Sequence, residues 1–445
     1  MKRYEKICAF PDIWIDEIPS HWETHKMKYL FNERSEKGHP DEPLLVASQN
    51  MGVVPKTIYG SRTVEAQKDL HLLKLVRIGD FVISLRSFQG GLEYAYYQGI
   101  ISPAYTILIP HEPMTASYFR YLAKSKLFIG LLTLCVTGIR EGQNIDYGKL
   151  RDHLLPVPPR NEQDQIVRYL DWQVSKINRL IAAKRKQIEL MKDNLKSAVA
   201  KLTTHGIGSH DMCRSEIYWL TEYPSTWHVT KLKYILKKHR REVPPNAELL
   251  ICSNSGEVTK RGDGKLGLVA ASDDIYQGVK TGDLLIHGMD TWHGAIAISN
   301  FDGMCTPVVH VCTCREEKRF VAYYLKMMAY TKVFKAISNG VRQNTSDFRS
   351  WDKVGDLLIC LPDISEQVAI ADELDKLTDA TKKGIACFER HIEKLVDLRT
   401  RLISDVVTGQ IDVRGIEIPD YERAEEFASP DNTEDESEDI ADEEE

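Results

Sequence analysis

The sequence predicts an α+β chain built as an internal repeat: two α+β globes separated by two long antiparallel coiled-coil helices, related by a pseudo-two-fold. Three observations carry that prediction. Residues 161–204 place apolar or small residues at 170, 174, 177, 181, 188, 191, 195, 198 and 202, with Lys184 as the one polar member. Steps of three and four, sustained without glycine or proline, describe a heptad seam. A shift of 204 residues brings a second seam into the same register: Leu374, Thr378, Thr381, Ile385, Phe388, Ile392, Leu395, Arg399, Leu402 and Val406. The globular stretches repeat too, residues 14–30 matching 219–235 at an offset of 205.

Taken in order, the first globe opens with Pro-Ser-x-Trp at 19–22, repeated at 224–227, a turn leading to a buried aromatic anchor. Lys26 and Lys28, with Lys231 and Lys233, are either solvated or phosphate contacts. Gly79-Asp80 and Gly282-Asp283 each read as a turn feeding an apolar strand. Short β-rich runs at 72–76, 81–85 and 105–109, and helical patterns at 116–125 and 318–332, make each half α+β. Pro158 and Pro159 block the first long helix from running backwards; Asn161 is its expected N-cap, Glu162 favours its dipole, and Gly206 closes it. At about 1.5 Å per residue this helix spans roughly 65 Å. The second starts after Leu361-Pro362 and repeats Glu162-Gln163 as Glu366-Gln367, with Thr378, Thr381 and Gly384 weakening its first half.

The expected boundaries are a globe at 1–157, a helix at 158–206, a globe at 207–361, a helix at 362–410 and an acidic, disordered tail at 411–445. Neither helix alone can hide its stripe from water. Packed antiparallel, the two would satisfy each other, carry one globe at either end and nearly close the chain on itself.

Composition narrows the function. No run of about 18 apolar residues exists, so no membrane span is expected. The N-terminus lacks an apolar signal core, pointing to the cytoplasm, and nine scattered cysteines are expected as thiols. The net charge of −7 hides an asymmetry: residues 421–445 hold thirteen acids and one arginine, leaving 57 Lys+Arg against 52 Asp+Glu in residues 1–420. P-loop, Rossmann and HExxH patterns are absent, as is the Asn/Asp-Pro-Pro-aromatic element of amino-methyltransferases. Cys305, His310, Cys312 and Cys314 read as buried thiols beside a histidine rather than a metal set, since the first half has no equivalent.

What remains suits nucleic acid. Arg140, Gln143 and Asn144 in one half, and Arg342, Gln343 and Asn344 in the other, occupy matching positions; arginine reads guanine, and Asn or Gln reads adenine. Arg86 and Gln89, answered by Trp292 and His293, mark a second polar loop bounded by glycine. Lys149 and Arg349 are placed to hold phosphates.

These residues carry a family resemblance. Leu155-Pro156-Val157-Pro158-Pro159-x-x-Glu162-Gln163-x-x-Ile166-Val167-x-Tyr169-Leu170-Asp171, the long helix to Thr204-His205-Gly206, and the worn copy from Leu361-Pro362 to Thr408-Gly409 resemble the specificity (S) subunit of type I restriction–modification enzymes. The resemblance spans about residues 14–410. It implies a non-catalytic subunit whose globes are target-recognition domains, each binding one half of a bipartite target in double-stranded DNA. The helices would set the spacer and dock two modification subunits, through Glu162, Gln163, Leu170, Ile177, Ile181, Ile188, Glu366, Gln367, Leu374, Ile385, Ile392 and Leu402. It implies no cofactor in this chain; S-adenosylmethionine, ATP and Mg would belong to the modification and the restriction (translocase/nuclease) subunits. A coiled-coil scaffold carrying two ligand-binding modules without DNA recognition is the alternative, and an enzyme with an unrecognised active site a third reading.

Overall fold

The computed structural model describes residues 2–49, 51–59, 69–112, 114–137, 144–262, 276–337 and 348–421. The chain divides into two compact units, 1–185 with 389–445, and 186–388. The division cuts both long helices, Arg160–His205 and Ile364–Val407, so each helix contributes one part to each unit.

In the first unit a four-stranded antiparallel sheet runs in the order Phe31–Arg34, Thr106–Pro110, Phe81–Ile83, Glu93–Tyr94. In the second unit the order Leu236–His239, Val309–Cys314, Leu284–His287, Ile296–Ile298 repeats it. Strand Glu23–Lys26 pairs with Leu154–Val157, and His228–Lys231 with Leu358–Leu361, so each globe is laced shut just before its long helix begins. The strand expected at 81–85 stops at Ile83, and those expected at 72–76 and 105–109 are Lys74–Val76 and Thr106–Pro110. The helices expected at 116–125 and 318–332 are Ala116–Leu122 and Lys318–Tyr330.

The Gly-Asp turns have a common mechanism. Gly79 and Gly282 adopt φ of 95° and 89°, a region that suits glycine. The aspartate that follows is buried, accepts a backbone N–H (Arg77 or Lys280, 2.8 Å each) and meets a guanidinium, Arg34 or Arg241. Each turn therefore fixes where its central strand enters the sheet.

Within the first unit the long helices run antiparallel. Asn178 accepts from Arg399 at 2.7 Å, and thirteen residues earlier Gln165 donates to the carbonyls of Val413 and Ile416. Ile166, Tyr169, Leu170, Val174, Leu402 and Val406 join the core of that unit; full burial of such side chains contributes about 1.5–3 kcal/mol each. Within the second unit Met191 packs on Gly384, while Gly206 lies against Glu366 and Trp227, again antiparallel. Every seam position read from the sequence is buried or half-buried, including Lys184 and Arg399. Gly384 is less a weak point than a gap: a Cβ there would meet the Met191 methyl.

Residues just past the second long helix meet the N-terminal segment inside the first unit. Asp412 N–H donates to the Lys2 carbonyl at 2.9 Å, and Gln410 Nε2 to the Glu17 carbonyl at 3.0 Å. Strands Ile7–Ala9 and Glu17–Pro19 pair there as Met212–Arg214 and Glu222–Pro224 pair in the second unit.

Candidate nucleic-acid interface

The motif at the start of each long helix is a lock. The first long helix begins at Arg160, so Asn161 lies inside its first turn rather than capping it; Pro159 supplies the carbonyl that accepts from Glu162 and Gln163. Glu162 is buried and takes hydrogen bonds from the Tyr4 hydroxyl and from Trp22 Nε1 (3.1 Å), with His21 Nε2 2.8 Å away. Burial, reinforced by this carboxylate, pushes the Tyr4 hydroxyl well above its ordinary pKa. Gln163 accepts from Thr115 N–H at 3.0 Å, at the N-cap of helix Ala116–Leu122, and donates to the Pro158 carbonyl. About two turns on, Asp171 accepts from Arg120 (2.8 Å) and the Tyr121 hydroxyl (2.5 Å).

The second unit repeats the lock. Glu366 accepts from Trp227 Nε1 at 3.2 Å, Gln367 from Glu317 N–H at 3.1 Å, and Asp375 from Arg319 and Tyr323 at 2.8 Å each. The tryptophans of Pro-Ser-x-Trp are therefore buried anchors that also donate a hydrogen bond. The helix dipole marks Glu162 in the sequence but not its donors Tyr4 and Trp22, which lie 158 and 140 residues earlier.

All twelve residues expected to serve as spacer and docking positions turn inward. Glu162, Gln163, Leu170, Ile177, Ile181, Ile188, Gln367, Leu374 and Leu402 are buried; Glu366, Ile385 and Ile392 are half-buried. They hold the helices within their own units.

The described candidate DNA-contacting residues lie around one repeated arrangement. In the first unit Arg86 and Gln89 are exposed on a short helical turn, Ser87–Gly90, whose Ser87 is buried with its Oγ accepting Ser84 N–H at 2.8 Å. That turn packs on helix Lys126–Leu134, which leads to strand Val136–Thr137, paired with Asn144–Ile145. Asn144 and Lys149 are exposed; Arg140 and Gln143 lie outside the described residues. In the second unit the turn Thr291–His293 packs on helices Lys318–Tyr330 and Val333–Ile337. His293 and Arg349 are exposed and Trp292 is half-buried, with Lys335 Nζ 5.7 Å from its ring centre. Phe348 N–H donates to the Gly288 carbonyl (3.1 Å), and Gly288 itself lies against the backbone of Phe348 and Arg349. Arg349 is thereby brought beside the segment carrying Trp292 and His293. Arg342, Gln343 and Asn344 lie outside the described residues.

Two features were not read from sequence. Lys28 Nζ sits 2.7 Å from Asp152, and Lys231 and Lys233 sit 3.0 and 2.8 Å from Asp356, so the repeated lysines are ion-paired to an aspartate in each unit. Glu93 is buried beside Arg86's turn, and its Oε2 is 2.7 Å from Lys124, which also donates to the Gly90 carbonyl. Burial raises the Glu93 pKa to about 7 against the pull of Lys124.

The four residues considered as a metal set are a buried histidine and thiols whose protonated form burial favours. Burial pushes Cys305 and Cys312 up to about 12 and Cys314 to about 11, and His310 Nε2 lies 2.7 Å from the Phe348 carbonyl.

No family model matches the chain. A relative provisionally named the type I restriction enzyme MjaX specificity subunit, from Methanocaldococcus jannaschii, is 24% identical over 90% of this chain and 96% of its own length. The chain resembles type I restriction specificity subunits. A second such relative from that organism, the type I restriction enzyme MjaVIII specificity subunit, is 26% identical over 59% of this chain and 63% of its own. Among solved structures, a chain from a study of complex assembly and conformational transition in the type I R-M system superposes with a TM-score of 0.64 at 13% identity, covering 88% of this chain and 99% of that one. The fold is thus one found in a type I R-M system. Among the described residues no helix is long and apolar enough to cross a membrane.

Proposed function

We propose that this chain is the DNA sequence-specificity subunit of a type I restriction–modification complex. Each recognition domain, 1–157 and 207–361, reads one half of a bipartite duplex target. The observation that carries the reading is the duplication: the same short polar turn, beside the base of the same arginine-bearing segment, is presented once in each unit. Arg86, Gln89 and Asn144 in the first unit, and Trp292, His293 and Arg349 in the second, supply the donor and stacking chemistry that base edges and phosphates need. Arg140, Gln143, Arg342, Gln343 and Asn344 complete that set on the sequence argument alone.

The long helices act as the spacer, and their inward seams serve that role only. Modification subunits dock on the outer flanks, where Leu180 and Leu398 in the first unit and Leu190 in the second are about half exposed. The chain itself is non-catalytic; S-adenosylmethionine, ATP and Mg belong to its modification and restriction partners.

Selection from a random duplex library by the chain with its modification subunits tests this. The reading predicts two short constant blocks separated by a gap of fixed length. Seven residues inserted beside Met191 in the first helix, with seven beside Gly384 in the second, lengthen the pair by about 10 Å and should widen the gap by about three base pairs. A library left without any enriched sequence would favour the scaffold alternative.

A further inference from the structure

The two units share a backbone plan, but the edge strand of the second carries cations that the first lacks. In the second unit a cleft of about 580 Å³ opens along the edge strand Leu236–His239, lined by Lys233, Lys237, Lys238, Arg240, Arg315 and Trp351. Lys233 is held by Asp356, whereas Lys237, Lys238, Arg240 and Arg315 make no ion pair among the described residues. His239, inside the same cleft, lies 2.8 Å from Thr313 Oγ1, and burial with neighbouring cations lowers its pKa.

Strand register identifies the matching positions of the first unit. Lys237 and Lys238 pair with Thr313 and Cys312; Asn32 and Glu33 pair with Ile109 and Leu108 at the equivalent places in the sheet. Arg315 N–H donates to the Ile235 carbonyl as His111 N–H donates to the Leu30 carbonyl. Running the register on, Arg240 answers to Ser35. Four unpaired cations in one unit thus correspond to Asn32, Glu33, Ser35 and His111 in the other. The nearby guanidinium of the first unit, Arg34, is engaged by Asp80 at 2.9 Å.

We propose that the Lys237–Arg315 cleft seats a phosphodiester backbone, a sequence-independent contact with DNA that the matching positions of the first unit do not make. The proposal rests on the DNA-reading function proposed above and adds an inequality between its halves. Residues 237–240 span about 10 Å of extended strand, the axial length of about three phosphates of one strand. Lysine and arginine side chains on such an edge exchange condensed counterions for phosphate contacts, and each contact steepens the dependence of log K on log salt by about 0.9.

The test uses the full chain with its modification subunits and measures binding to target and random duplexes between about 50 and 200 mM salt. The triple variant Lys237→Gln, Lys238→Gln, Arg315→Gln should make the salt slope shallower by roughly 2 to 3 on both duplexes, with the target-over-random ratio nearly unchanged. The mirror variant Asn32→Gln, Glu33→Gln, His111→Gln should move the slope by less than about 1. An unchanged slope in the first variant overturns the cleft assignment, and an equal fall in the second overturns the inequality. Loss of the modification subunits from the triple variant on size exclusion, with DNA binding otherwise intact, marks the cleft as a protein seat and also overturns it. Should the unaltered complex show no preference among sequences, the functional reading fails while the slope on random duplex still decides the cleft.

Discussion

Glu162 is 4% exposed and faces a tyrosine hydroxyl, an indole N–H and an imidazole; Glu366 is half-buried and, among the described residues, faces an indole and His210. Removing a buried acceptor strands its donors, at a cost of about 1–3 kcal/mol and more where charge is involved. Glu162→Ala should therefore lower stability in urea unfolding by about 3 kcal/mol, and Glu366→Ala by about half as much. Equal losses would mean that the two locks do not differ as drawn. Glu93 gives a pH signature. In the unfolded chain it titrates near 4.5, in the folded chain near 7, so between these values the folded state holds the extra proton. That stabilisation is fully present below about pH 4.5 and is lost as pH rises through 7. Glu93→Gln lacks this slope, so relative to the natural chain it should gain on the order of 3 kcal/mol above pH 7, read from urea midpoints across pH. Parallel pH profiles for the two proteins would contradict the burial account.

At the scale of elements, the helix ends matter most. Gly206 and Gly409 close the two long helices with φ of 72° and 74°, and each lies against the tryptophan that anchors the other helix's start: Trp227 for Gly206, Trp22 for Gly409. A Cβ on Gly409 would collide with the Pro19 ring and come within 3.1 Å of Trp22. Gly409→Ala should thus cost about 2–3 kcal/mol, whereas Gly38→Ala, at φ 90° with open space around it, should cost only the roughly 1 kcal/mol of the left-handed backbone. Thermal unfolding of both variants checks the difference, and similar losses would remove the packing term. These elements were also the most legible in sequence. Apolar spacing announced the seam, glycine announced the first helix's end, and Gly-Asp announced the strand turns, because each is a local rule of backbone and periodicity. The locks were not legible. Glu162 had a sufficient local explanation in the helix dipole, and nothing near it in sequence names Tyr4, His21 and Trp22 as its donors. The pairing of Lys28 with Asp152, 124 residues on, and the meeting of Lys237 with Arg315, are products of sheet order, which spacing does not encode.

Across the whole molecule, the repeat has kept its framework and let its surface diverge. Sheet order, helix locks and Gly-Asp turns recur in both units. The side chains on the short polar turn and along the edge strand do not: Gln89 gives way to Trp292, and Glu33 to Lys238. On the proposed function, a shared frame with two different surfaces suits two unlike half-sites, since discrimination comes from base-edge contacts while the frame only positions them. That claim is most directly tested by exchanging residues 207–361 for those of a relative, producing the hybrid with its modification subunits in cells, and mapping methylated adenines by sequencing. The account predicts that one half of the recognised sequence changes while the other half and the gap between them stay as they were. Alteration of both halves together, or of neither, would contradict it.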